Sequence, residues 1–233
     1  MKTNKNNKRA FTMLELVMVI VVLGILASLA LPRLDNDGRQ EAADNLLSTI
    51  RFTQSLALMD NKNDRTGSGL FAPIRTNWQQ ALWHIRFGSY AGGTKWFYTV
   101  SSSNDADGNV DQNETAIDPN NGKFMYNRAG NGVIDISESP NIFISEKFGI
   151  NGVDFSACTG ALGSTRTSNA ATHVAFDYMG RPHKGIYGAT NNYSRVMHDD
   201  CLIRFTFLDG GDALEIQINS ETGYAFIVGQ PDS

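Results

Sequence analysis

From Leu16 to Leu31 the chain reads LVMVIVVLGILASLAL without a charge. Counted from Phe11, a helix through this run is about 30 Å long at 1.5 Å per residue, enough to cross a bilayer core. Beyond Pro32 the pattern changes. Ala43, Leu46, Leu47, Ile50 and Ala57 recur at helical spacing, which predicts an amphipathic second half of one long helix, ending near Asn61 to Asn63 and packed on a sheet. Alternating or short apolar runs predict strands at Ala81 to Phe87, Lys95 to Val100, Ile142 to Ser145, His173 to Phe176, Leu202 to Phe207, Leu214 to Ile218 and Tyr224 to Val228. The last three are separated by Asp209-Gly210-Gly211-Asp212 and by Asn219 to Gly223, two hairpin turns of an antiparallel meander. The fold class that follows is α+β. Long loops, about 101 to 140 and 160 to 195, are the places for variation and binding.

Charge sharpens the reading of the N-terminus. Lys2, Lys5, Lys8 and Arg9 precede the apolar run with no acid among them, so the start is expected in the cytoplasm and everything after Pro32 outside the inner membrane. Without those four the 20 basic residues fall to 16 against 24 acids, a formal net charge of about −8. No concentrated basic patch remains, which argues against nucleic acid as a partner. A secretory signal would end in a small-x-small cleavage site after the apolar run, whereas this run continues into an amphipathic stretch. A plain signal anchor fits the hydropathy but leaves Glu15 unexplained. An acid at the mouth of an apolar span costs about 3 kcal/mol and points to a functional partner.

The residues Arg9-Ala10-Phe11-Thr12-Met13-Leu14-Glu15-Leu16 resemble the cleavage and methylation motif of type IV pilins and pseudopilins. The resemblance implies a leader of residues 1–10, cut by prepilin peptidase between Ala10 and Phe11, with the new Phe11 amine methylated. Ala10 stands where that family usually has Gly. It further implies that Glu15 pairs with the Phe11 amine of a neighbouring subunit, matching two charges that neither could cheaply bury alone. Gly24 and Pro32 match family positions that bound a helix segment able to loosen during assembly, and a weak segment is expected there on propensity alone. The implied organisation is an assembly helix over 11–32 and a globular pilin domain over 33–233, whose helical part runs to about 62. Leu46 to Met59 is similar to the corresponding helix of pseudopilin H and of minor pilins in the mannose-sensitive haemagglutinin system, and Phe176 to Pro182 resembles a segment near the C-terminus of pseudopilin H-like domains.

Cys158 and Cys201, the sole cysteines, both fall on the expected outer side, where oxidation favours a disulfide. Ser103, Asp105, Asp107, Asn109, Asp111 and Glu114, with a Gly108 turn, resemble a calcium-binding EF-hand loop, although Ser103 replaces the usual first Asp. Such an ion would be structural; the alternative is a solvated acidic loop. A degenerate echo follows at Asn127, Asn131, Gly132, Asp135 and Glu138. His84, His173, His183 and His198 lack metal-site spacing or a nucleophile partner, so no enzyme is expected. The function that follows is structural: a minor pilin of a type IV pilus, with a type II secretion pseudopilin as the alternative and an adhesive tip module as a third reading. Expected partners are other pilin subunits, prepilin peptidase, the assembly platform protein and, for the adhesive reading, a surface ligand.

Overall fold

The computed structural model describes residues 12–60, 62, 78–104, 110–128, 130–156, 158, 173–185 and 192–230, with the side chains of 27–37 outside the description. A single helix, α1, covers Met13–Met59 and runs unbroken through Gly24 and Pro32. The chain divides between Gln40 and Glu41 into two compact units. The division falls where α1 acquires a buried face, since Ala42 and Ala43 are its first buried side chains after the undescribed stretch.

In the second unit the predicted helical stripe, Ala43, Leu46, Leu47, Ile50 and Ala57, is buried, and Ala42 joins it. They share one apolar core with Ile85, Phe87, Tyr98, Val174, Ile203, Phe205 and Ile216 from the strands. Polar ties fix the same face. Tyr98 Oη donates to Asn45 Oδ1 at 3.2 Å, Arg51 donates to the Ala225 carbonyl from Nη2 at 2.8 Å, and Gln54 Nε2 donates to the Gly180 and Thr222 carbonyls, each at 2.9 Å.

Among the described residues, eight strands form two four-stranded antiparallel sheets. They are β1 (Trp83–Tyr90), β2 (Lys95–Ser101), β3 (Ile150–Asp154), β4 (His173–Phe176), β5 (Pro182–Lys184), β6 (Cys201–Phe207), β7 (Leu214–Ile218) and β8 (Ala225–Ile227). The first sheet has the order β2-β1-β4-β5 and the second β3-β6-β7-β8. The predicted meander is present as β6-β7-β8, with Cys201, Ile203, Phe205 and Phe207 turned inward at every second position. In its second turn Gly223 has φ +70°, and a Cβ there would lie 2.1 Å from the Gly180 carbonyl oxygen, so that position requires glycine.

One predicted strand is corrected. Ile142 to Ser145 is not extended: a 3-10 turn covers Pro140–Ile142 and a short helix, α2, covers Ile144–Phe148. Ser139 caps the turn by accepting from Asn141 N, and Pro140 opens it. Ile142, Phe143 and Ile144 are all fully buried, and a short run that is buried on every side has no period to distinguish strand from helix. Two strands lie outside the predicted set. β3 contains Asn151 and Gly152, poor strand formers held by pairing with β6, and β5 opens with Pro182, tolerated at a first position on an edge.

Candidate functional site

At the start of α1, Thr12 and Glu15 cap each other. Thr12 N donates to Glu15 Oε2 at 3.2 Å, Thr12 Oγ1 donates to the same oxygen at 3.3 Å, and Glu15 N donates to Thr12 Oγ1 at 3.3 Å. This is the reciprocal Thr-x-x-Glu capping box, a signal legible in the sequence but missed beside the stronger question of why an acid stands there. Ala10 and Phe11 lie outside the described residues. Every large apolar side chain from Met13 to Leu26 is half exposed or more, with Met13 at 89%. So continuous an apolar surface needs lipid or another apolar surface to cover it. Among the described residues no helix is long and apolar enough to cross a membrane; the described side chains of this run stop at Leu26, five residues before the run itself ends.

The two loops read as calcium-like share a construction. Glu114 Oε1 accepts from Asn104 N at 2.5 Å and Oε2 from Asp111 N at 3.1 Å; Glu138 Oε1 accepts from Arg128 N at 2.6 Å and Oε2 from Asp135 N at 3.1 Å. Each carboxylate thus clamps the second and ninth positions of its twelve-residue loop. Asp111 N-caps the short 3-10 turn Gln112–Glu114 in a capping box with Glu114. Gln112 Nε2 donates to Ser137 Oγ at 2.8 Å and joins the loops. Gly132 has φ +78°, and a Cβ there would lie 2.2 Å from the Tyr90 ring, which explains glycine at the loop's sixth position. Ser103 is buried, whereas Asp105, Asp107 and Asn109 lie outside the described residues. Among the described residues no group of three His, Cys, Asp or Glu side chains is placed to hold a metal ion.

Cys158 and Cys201 are joined in a disulfide that ties the chain after β3 to the start of β6. The histidines serve different ends. His84 is buried on β1: its Nδ1 lies 3.0 Å from the Leu82 carbonyl and its Nε2 3.1 Å from Ser101 Oγ. The carbonyl requires a proton on Nδ1, while the Ser101 hydroxyl can serve Nε2 as donor or acceptor. Burial lowers the ring's pKa to about 4, so at neutral pH Nε2 carries no proton and accepts. His173, on β4, is held well below the ordinary value by burial and by its basic neighbours His84, Arg86 and Arg195. His183 meets the buried Asp177, whose Oδ2 also accepts from Arg181 Nε at 2.8 Å. Burial pushes the Asp177 carboxyl up, but those partners and the Arg181 amide outweigh it and hold it at about 2. This network ties down the turn of Phe176 to Pro182. His198 is exposed.

Residues 5–31 match the family model of the prokaryotic N-terminal methylation motif. The chain is also similar to two proteins named type II secretion system core protein G. That of Pectobacterium carotovorum subsp. carotovorum is 38% identical over 71 residues, covering 29% of this chain and 46% of the relative. That of Klebsiella michiganensis is 34% identical over 74 residues, covering 30% and 52%. The chain therefore spans about half the length of the curated relatives it matches. No solved structure gives a significant match. The motif and the relatives together are those of pilin and pseudopilin proteins.

Proposed function

We propose that this chain is a structural, non-enzymatic filament subunit of the pseudopilin class, anchored in the inner membrane by α1 and assembled with other pilin-like subunits after prepilin peptidase cuts at Ala10-Phe11. The observation that carries this reading is the methylation-motif match over residues 5–31, continuous with a helix whose apolar side chains from Met13 to Leu26 stand exposed and whose one acid between Thr12 and Leu31 is Glu15. The likeness to core protein G favours a pseudopilin of a type II secretion apparatus over the minor pilin expected from the sequence. A minor-pilin reading keeps one specific support, the paired loops 103–114 and 127–138, a built outer module in which recognition of a surface could sit.

In this reading Glu15 exchanges its Thr12 contacts for the Phe11 amine of the adjacent copy, and the segment between Gly24 and Pro32 loosens to let it do so. Mass spectrometry of membrane-extracted protein is expected to show a methylated Phe11 terminus. Glu15→Val is expected to insert normally and to fail to join filaments. A retained Met1 end, or a Glu15→Val chain that assembles as well as the parent, overturns the reading.

Loop 103–114 is proposed to take a structural calcium ion. Its described part closes without one, because both Glu114 oxygens are engaged by backbone N–H groups. The ion would gather Asp105, Asp107 and Asn109 onto the part of the loop that Glu114 closes. A thermal melt with and without chelator tests this, and an unchanged Tm retires it.

A further inference from the structure

We propose that the face of the first sheet turned away from α1 carries a binding site for a small oxyanion, a phosphate or a carboxylate, centred on Arg86 and His173. These two residues are directly opposed across β1 and β4, so their side chains rise from the same face. His84, two residues along β1, shares that face, with its ring centroid 5.8 Å from that of His173. His173 Nδ1 is buried without a hydrogen-bond partner. Arg195, 8% exposed, adds its charge from the segment after β5.

What marks the site is the kind of group gathered around His173. The groups acting on His173 are His84, Arg86 and Arg195, all basic, and Tyr126 is the neighbour that acts on Arg86. The nearest acid along β4, Asp177, is committed to Arg181 and His183. The Arg86 and Arg195 charges beside two desolvated neutral rings are unfavourable by themselves and become favourable around an anion. Arg86 supplies a planar pair of donors matched to two oxygens, and the imidazole supplies a third donor. Access follows from Arg86 being exposed and from Tyr126, which also lines an open cleft of about 430 Å³ with Asp111, Gln112, Asn113, Phe124 and Arg128. The oxyanion has two sources, free phosphate or the carboxylate of a neighbouring subunit, and the second rests on the filament reading above.

The test is a thermal melt of the detergent-solubilised full chain in sodium phosphate and in sodium chloride at matched ionic strength, at pH 5.5 and pH 8. Phosphate at about ten times its Kd is expected to raise Tm by about 3 °C. The rise should be larger at pH 5.5, where an anion draws a proton onto His173, and should vanish in Arg86→Gln. No phosphate-specific rise, or the same rise in Arg86→Gln, overturns the proposal. Should that variant not fold, the His173 ring resonances of the parent decide: movement with phosphate supports the site, and none overturns it. Repeating the titration on assembled filaments separates the sources. Resonances that move with phosphate there identify a free anion, and resonances already shifted and indifferent to phosphate identify a neighbour's carboxylate. Resonances that are neither shifted nor responsive, in a chain that shows no effect in detergent, overturn the site while leaving the filament reading intact.

Discussion

Lowering the pH from 7 towards 4 should destabilise the globular unit through His84. In the unfolded chain this imidazole takes a proton near pH 6.5; in the fold, burial holds its pKa at about 4. Between those values the unfolded state binds more protons than the folded state. The His84 contribution is therefore fully present above pH 6.5 and is lost as the pH falls through the window. A depression of that size corresponds to about 3 kcal/mol. His173, lowered in the same direction, adds to the slope. Asp177 does not confuse the picture: with its folded pKa at about 2, its contribution is lost only below the ordinary carboxylate range. The assay is urea unfolding of the detergent-solubilised chain at half-unit steps from pH 7.5 to 4.5, for the parent and for His84→Gln. Gln keeps a donor for the Leu82 carbonyl and an acceptor for Ser101 Oγ but cannot charge. The variant should start less stable and show a visibly shallower pH slope. An identical slope in both chains would refute the placement of a neutral, buried ring at 84.

Reducing the Cys158–Cys201 bond, or replacing both residues with Ser, should cost about 4 kcal/mol for a closed loop of this length, read as a fall in the urea midpoint. Gly223→Ala should lose clearly more stability than Gly210→Ala in parallel melts. Both have positive φ and bear the ordinary backbone cost of about 1 kcal/mol, but only Gly223 would also drive a Cβ against the Gly180 carbonyl. Glu138→Gln should destabilise the chain without any chelator dependence, since its oxygens clamp the Arg128 and Asp135 amides; a chelator-sensitive difference between parent and variant would contradict a metal-free clamp.

The parts of this fold that were legible in the sequence are those with a period. The stripe from Ala43 to Ala57 and the alternation of β6 each leave one face polar, so the buried face announces itself. The run from Pro140 to Phe148 does not, because its centre is buried all round. β3 and β5 are short and carry Asn151, Gly152 and Pro182, and they extend only because β6 and β4 offer them an unpaired edge. That there are two sheets rather than one is also a tertiary fact: nothing local prevents β4 from pairing with β6. At the site, Glu15 stood out by its cost in an apolar setting, while the Glu114 and Glu138 clamps were foreshadowed by spacing alone. The basic face of β1 and β4 was missed. His173 lies far from His84 and Arg86 in sequence order, and only the register sets Arg86 opposite it.

The Thr12–Glu15 cap bears on the assembly proposed above. A free carboxylate exposed at the head of an apolar helix would be a charge waiting for a partner. Here it is already satisfied by the Thr12 amide and hydroxyl at 3.2 and 3.3 Å, which steadies the first turn of α1 in the isolated subunit. Those are hydrogen bonds from neutral donors, and a charged amine forms a stronger one to the same oxygen. In water the gain from such an exchange is small, because both ions are hydrated. In an apolar surrounding the amine gains far more from an opposite charge than from any neutral acceptor. The exchange therefore becomes favourable only where the amine is brought to Glu15 out of water, as when two such helices lie side by side in lipid. On the filament reading proposed above, a local cap that holds in solution and yields inside the bilayer would let the same acid steady the single subunit and fix the register of neighbouring ones once they meet.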